Sequence, residues 1–368
     1  MLSLLRHKTE ANNKIILPEK KVMRDILRII VLIITLSGYT VNAQNSKYAS
    51  VDKHAFSVPK NISNNPELIS NYLTKPFNTD EQKVRAIFYW VANNFKYDKT
   101  EQSSKYNQNG KSIEFMLKYG KGVCQNFSDL VNELCKHANI KSVIIGGYTQ
   151  QLNKIIDKGH AWNGVFINNK WLMIDATWAA GRQINGRYYN KFEDEFFLVE
   201  PSEFIINHMP FDPLWQFSNN PISHSDFYKS NFKGSMTLDF NKELNNYFLQ
   251  DDFQRMTSSL ARIKNCGLVN NTIKTEAEIL QRNIETYELN TAVEYVNQSV
   301  NSFNKWTKLY NQGKGDTEEA IKLKSTTQKQ IDKSYLTLTN IKTTNKSYRS
   351  EINKMVKAIK QMQEILNQ

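Results

Sequence analysis

Two asparagines, Asn168 and Asn169, separate a run that starts at His160 from another that starts at Lys170, both rich in β-branched and aromatic residues. Asparagine tolerates the left-handed backbone region better than most residues, so the pair suits a two-residue hairpin turn. Such a turn constrains the chain strongly because it fixes the register of its two strands, expected over 160–167 and 170–176. His160 then falls opposite Thr177, and Asp175 lies one diagonal step away on the same sheet face. Val143, Ile144 and Ile145, closed by Gly146 and Gly147, predict another strand over 141–148.

Helical periodicity precedes these strands. Val84, Ile87, Phe88, Val91 and Phe95 recur mostly at spacings of three and four, which predicts an amphipathic helix over 80–95. A second helix is expected to start near Cys124, with Phe127, Leu130, Val131, Leu134, Cys135 and Ala138 as its inward stripe. Helices first and strands after predict a segregated α+β domain with an antiparallel sheet over 80–235. Residues 44–79, punctuated by Pro59, Pro66 and Pro76, read as an extended lead-in. From 236 to 368 polar helices with a thin apolar stripe take over, and three or more are expected. Leu289, Val293, Val296, Val300 and Phe303 form one stripe, and Ile352, Met355, Ile359, Met362 and Leu366 another, as in a helical bundle or coiled coil. Gly313 and Gly315 interrupt this pattern, and Asp316 with Glu319 has the form of a capping box.

Residues 1–43 read as a signal peptide: Lys20, Lys21, Arg24 and Arg28 precede an apolar run from Ile29 to Leu36, and Val41-Asn42-Ala43 suits cleavage. Met23 is an alternative start that gives a leader of ordinary length. The run is far shorter than the roughly 20 apolar residues of a membrane span. A secreted or periplasmic protein is therefore expected. The formal charge of +12 includes seven Lys or Arg against three Asp or Glu in residues 1–43, which leaves +8 on a processed chain. No zinc-finger spacing or RNA-binding aromatic signature accompanies that charge, so a nucleic-acid partner is not expected. Three cysteines make no disulfide framework, and on one helix Cys124 and Cys135 would stand about 16 Å apart. An odd thiol in an exported chain is a candidate for reactivity.

Cys124 follows Gly120-Lys121-Gly122-Val123 and opens its helix, where free N–H groups and the positive end of the helix dipole favour a thiolate. Acyl transfer also needs an imidazole to stabilise the thiolate and protonate the leaving group, and His160 is the candidate. Asp175 would orient that imidazole. The Cys124 backbone N–H is the first oxyanion donor, and Tyr97, Gln125 or Trp162 are candidates for the second. Trp162 or Trp178 could wall the acyl groove, and Asn163 could orient a substrate amide or cap a strand. His54, His137, His208 and His224 are scattered without ligand spacing, so structural roles are expected and no metal.

Gly-Val-Cys124 heading a helix, His160-Ala-Trp-Asn at a strand start and Trp171-Leu-Met-Ile-Asp175-Ala-Thr-Trp178 together resemble the bacterial transglutaminase-like superfamily, which is related in fold to papain. The family's Cys, His and Asp match Cys124, His160 and Asp175. Further on, Phe196-Phe197-Leu198-Val199, His208-Met-Pro210 and Trp215-Gln216 resemble the tail of a secreted subgroup, so the resemblance runs from about residue 80 to 230. It implies a papain/transglutaminase-like core, no cofactor, and a cysteine-dependent protease, deamidase or transamidase acting on peptide or protein amides. A binding module for peptides or cell-wall stems is the alternative. The C-terminal helices are expected to dock a partner, form a homo-oligomer or cover the groove.

Overall fold

The computed structural model describes residues 47–98, 113–152, 154–184, 187–189 and 191–368. The expected signal peptide, Met23 included, lies outside the described residues. Among the described residues no helix is long and apolar enough to cross a membrane.

The stretch expected to be an extended lead-in instead holds two helices, α1 (Ala49–Ala55) and α2 (Pro66–Thr74). Its prolines punctuate rather than unfold it: Asn65 caps α2 by accepting from Leu68 N at 3.1 Å, and Pro66 takes the first helical position, where a missing N–H costs nothing. Val51, Ala55, Ile69 and Leu73 are fully buried in the main core. Helix α3 (Asp80–Asn94) follows, capped by Thr79, and buries Val84, Ile87, Phe88 and Val91 as its periodicity requires. Arg85 leaves this helix as a buried cation. It bonds Asp52 of α1 through Nε and Nη2, each at 2.7 Å, and reaches Asp194 with Nη1. The short strand β1 (Lys96–Tyr97), helix α4 (Ile113–Tyr119) and strand β2 (Lys121–Gly122) lead to α5 (Cys124–His137).

Three long strands come next, β3 (Ser142–Gln151), β4 (Lys154–Ile167) and β5 (Lys170–Ile174). Helix α6 (Ala176–Ala179) and the two-stranded ribbon of β6 (Arg182–Ile184) and β7 (Arg187–Tyr189) lead to α7 (Pro201–Phe204) and β8 (His208–Pro210). The main sheet is antiparallel in the order β5-β4-β3-β8. The hairpin register is the one that Asn168 and Asn169 predict: Ile167 pairs with Lys170 and Asn163 with Ile174, and both asparagines are left-handed, at φ 51° and 62°. β5 ends at Ile174, one residue before Asp175. One sheet face, with Val165, Ile167, Leu172 and Ile174, packs into the core that α3 and α5 share. The opposite face carries Ile145, Trp162 and Met173, covered by Phe204, Leu214, Trp215 and Leu244.

Beyond α8 (His224–Tyr228) the chain is helical, with α9 (Phe240–Leu249), α10 (Asp252–Cys266), α11 (Asn271–Asn311), α12 (Glu318–Asn340) and α13 (Lys346–Leu366). Leu260, Ile263 and Ile273 of α10 and α11 pack with Tyr148, Met209 and Phe227, so the helices join the sheet side of the molecule. The remainder of α11 forms a separate core with α12 and α13 through Leu289, Val296, Ile331, Leu338 and Ile359. The cap of α12 is Thr317, which accepts from Ala320 N at 3.3 Å, rather than the Asp316–Glu319 box.

Strands β3 and β8 meet where Gly147 pairs with Pro210. A Cβ on Gly147 would stand 2.3 Å from the Met209 carbonyl oxygen and 2.4 Å from the Trp162 ring, whereas one on Gly159 would meet nothing within 4 Å. Gly147→Ala is therefore expected to destabilise the protein by about 1–3 kcal/mol in urea unfolding and Gly159→Ala to cost much less. Equal midpoints for the two variants would contradict this close approach.

Candidate active site

Cys124 occupies the first position of α5, where N–H groups have no intrahelical acceptor. The local sequence dictates that start. Asn126 Oδ1 accepts from Val123 N at 3.0 Å, and its Cβ would lie 2.8 Å from any Cβ at position 122, so glycine is required there. Cys124 remains partly exposed, while Cys135 and Cys266 are buried, and burial pushes both of those thiols up to about 12.

His160 lies on β4 and gives Nε2 to Asp175 Oδ2 at 2.6 Å. Cys124 acts on the same imidazole, and Nδ1 is the nitrogen that remains to serve it. Asp175 is fully buried and is the N-cap of α6, with Oδ1 accepting from Thr177 N at 2.8 Å and Trp178 N at 3.0 Å. The strand expected to reach residue 176 stops early because this carboxylate turns the chain into a helix. Burial opposes a charge on His160, but the Asp175 carboxylate and the Cys124 hydrogen bond outweigh it and push the imidazole up to about 10. Burial likewise opposes the charge on Asp175, yet its imidazole partners hold it well below the usual carboxylate range.

His208, which its isolated place in the sequence did not connect with the triad, belongs to the same cluster. Its Nε2 lies 3.1 Å from the same Oδ2 of Asp175, and its ring stacks on Phe204 at 3.9 Å between centroids. Burial pushes it down to about 4 despite the carboxylate. The only sequence signal for it is the His208-Met-Pro210 stretch, whose resemblance carried no role. His160, Asp175 and His208 each bring one possible ligand atom within 4.8 Å of the others, the spacing of a metal set. Each imidazole already spends Nε2 on the carboxylate and His208 is completely buried, so the group reads as a hydrogen-bond network.

A cleft of about 980 Å³ opens beside His160, with Tyr97, Thr177 and Trp178 in its wall. Trp178 packs on His160 and His208, with ring centroids 5.7 and 4.3 Å away. Trp162 does not line the cleft; it is buried beneath His160, and its Nε1 has no hydrogen-bond partner among the described residues. Asn163 faces the other way and donates Nδ2 to the Ser128 carbonyl at 3.0 Å, tying β4 to α5 instead of meeting substrate. Gln125 is exposed and bonds Asp129 at 2.8 Å.

Residues 68–176 match the model of the Transglutaminase-like superfamily. The chain carries a transglutaminase-like domain. That span includes most of α2 and every element from α3 to Asp175, so the match begins within the expected lead-in. The chain is 28% identical over 180 residues to Kyphoscoliosis peptidase of Homo sapiens, covering 44% of this chain and 27% of that protein. It is 25% identical over 226 residues to Hillarin of Drosophila melanogaster, covering 55% of this chain and 26% of that one. The matched region thus spans about a quarter of these curated relatives, 27% and 26%. A crystal structure described as a TGase aligns at 18% identity and a TM-score of 0.27, covering 45% of this chain and 42% of its own.

Protonation links this domain's buried groups to stability. His208 and His224 are both pushed down to about 4 by burial, while the unfolded chain takes up those protons below about 6.5. The unfolded state then holds more protons, so stability falls as pH drops through that window. His160 has the opposite sign: the folded state holds more protons, so its contribution is complete below about 6.5 and is lost as pH rises through about 10. Urea midpoints are expected to peak near neutrality and fall on both sides, with His224→Gln making the acid limb shallower. A midpoint still rising at acid pH would contradict the buried neutral imidazoles.

Proposed function

We propose that this protein is an exported, cysteine-dependent acyl-transfer enzyme that acts on peptide or protein amides through Cys124, His160 and Asp175. The observation that carries the reading is the 2.6 Å bond from His160 to buried Asp175, made by an imidazole on which the helix-opening Cys124 also acts. Cys124 Sγ passes its proton to Nδ1 of His160 and attacks the amide carbonyl carbon, while the Cys124 backbone N–H steadies the oxyanion. The carbon–nitrogen bond breaks as His160 returns that proton to the departing amine, leaving a thioester. Water or a second amine then attacks the thioester, giving up its proton through His160, and releases an acid or a new amide with the thiol restored.

Tyr97 and Trp178 stand in the cleft wall next to His160, where an acyl chain would lie. The name of the human relative as a peptidase supports hydrolysis as one outcome of the thioester. The substrate is a peptide or protein, and the C-terminal helices are a partner-docking arm, a self-association bundle or a lid across the groove.

Iodoacetamide labelling of Cys124 tests this reading. Labelling should persist well below the ordinary thiol value of about 8.5, and His160→Ala should slow it on the order of 10- to 100-fold near pH 6. Wild-type labelling with an ordinary thiol profile would favour a binding module instead. Export predicts a processed chain beginning at Gln44, and mass spectrometry of the native protein that finds the leader uncut would remove that part.

A further inference from the structure

Asp175 Oδ2 receives two imidazoles, His160 at 2.6 Å and His208 at 3.1 Å, whereas orienting one imidazole requires a single contact. Oδ1 is already fixed by Thr177 N and Trp178 N, so the carboxylate would keep its orientation without His208. What His208 adds is a second donor on the oxygen that holds the imidazolium. We propose that His208 is a positioning residue that divides the negative charge of Asp175: its Nε2–H shares Oδ2 with His160, which leaves His160 able to return its proton to the departing amine. This rests on the acyl-transfer reading above.

The surroundings keep His208 in that role. Its side chain is completely buried, and Trp162, Trp178, Phe196 and Phe204 pack around it. The ionisable groups acting on it are Asp175 and His160, and a second imidazolium beside His160 would be repelled. A neutral ring with Nε2–H must accept at Nδ1, where Asn207 Oδ1 is placed 2.5 Å away, so this tautomer requires the Asn207 amide to be turned over to present its Nδ2–H. Cys124 meets His160 from α5, and Lys158, Glu193, Glu195 and Glu203 lie on the cleft wall in every variant considered below. Strand β8 is held in place from both sides. Thr149 of β3 pairs with His208, and Arg262 of α10 grips Asp212 through Nε at 2.8 Å and Nη2 at 2.7 Å.

The test is an NMR titration of His160 in the histidine-labelled mature chain, alongside the pH profile of Cys124 labelling. His208→Phe fills the stacked site without a donor, and His208→Gln keeps an N–H near the Nε2 position. In His208→Phe the His160 midpoint should rise by about one pH unit and the labelling limb should move to lower pH, because Asp175 then holds the imidazolium alone. His208→Gln should restore both. An unchanged His160 midpoint in folded His208→Phe would overturn the proposal, even if its melting temperature fell. Wild-type His208 should also carry its proton on Nε2 at neutral pH, and the Nδ1–H tautomer would overturn the proposal without any variant. Failure of the acyl-transfer reading looks different: wild-type Cys124 would label as an ordinary thiol.

Discussion

The site depends on a carboxylate that water does not reach. Burying an ionised Asp175 is expensive unless hydrogen bonds replace its lost hydration. Among the described residues two backbone N–H groups on Oδ1 and two imidazoles on Oδ2 do so. Those donors come from α6, β4 and β8, so the charge is tolerated only when the hairpin, the helix that follows it and a strand some thirty residues later have all assembled. The same assembly aims His160 at Cys124. Stability and the geometry of the candidate triad therefore rest on one group of contacts.

The C-terminal helices take part in that group. Arg262 on α10 is itself mostly buried, and it grips Asp212 four residues after His208 while also reaching Glu243 at 2.9 Å. Leu260, Ile263 and Ile273 add an apolar contact to Met209 and Tyr148 on the same strands. The bundle built by α11, α12 and α13 extends from there around its own core. The near part of the helical region thus secures the strand that carries the second imidazole, and the far part is available for other contacts.

Much of this was legible in local pattern. The asparagine pair sets the hairpin register because two left-handed residues make a tight turn whose twist matches the strands. The helices at 80 and 124 follow from spacings of three and four, and Cys124 falls at a helix start because Gly122 admits the Asn126 cap. The misreadings share a cause. Prolines at 59 and 66 suggested an extended lead-in, yet proline is favoured at a helix start and Ile69 and Leu73 found a core to enter. Asn163 adjoins His160 and Trp162 in sequence, but strand alternation turns it to the opposite face, onto Ser128.

By itself the sequence determined the local order of helices and strands, the hairpin register and the residue types that make Cys124, His160 and Asp175 a candidate triad, because turn chemistry and periodicity act over a few residues. Tertiary structure alone decided that His208 joins Asp175, that Trp162 lies beneath the cleft and Trp178 in its wall, and that helices after residue 240 secure the site. Those outcomes depend on which distant surfaces must share one buried charge. Burial and charge compensation are properties of the assembled core, and no spacing along the chain encodes them.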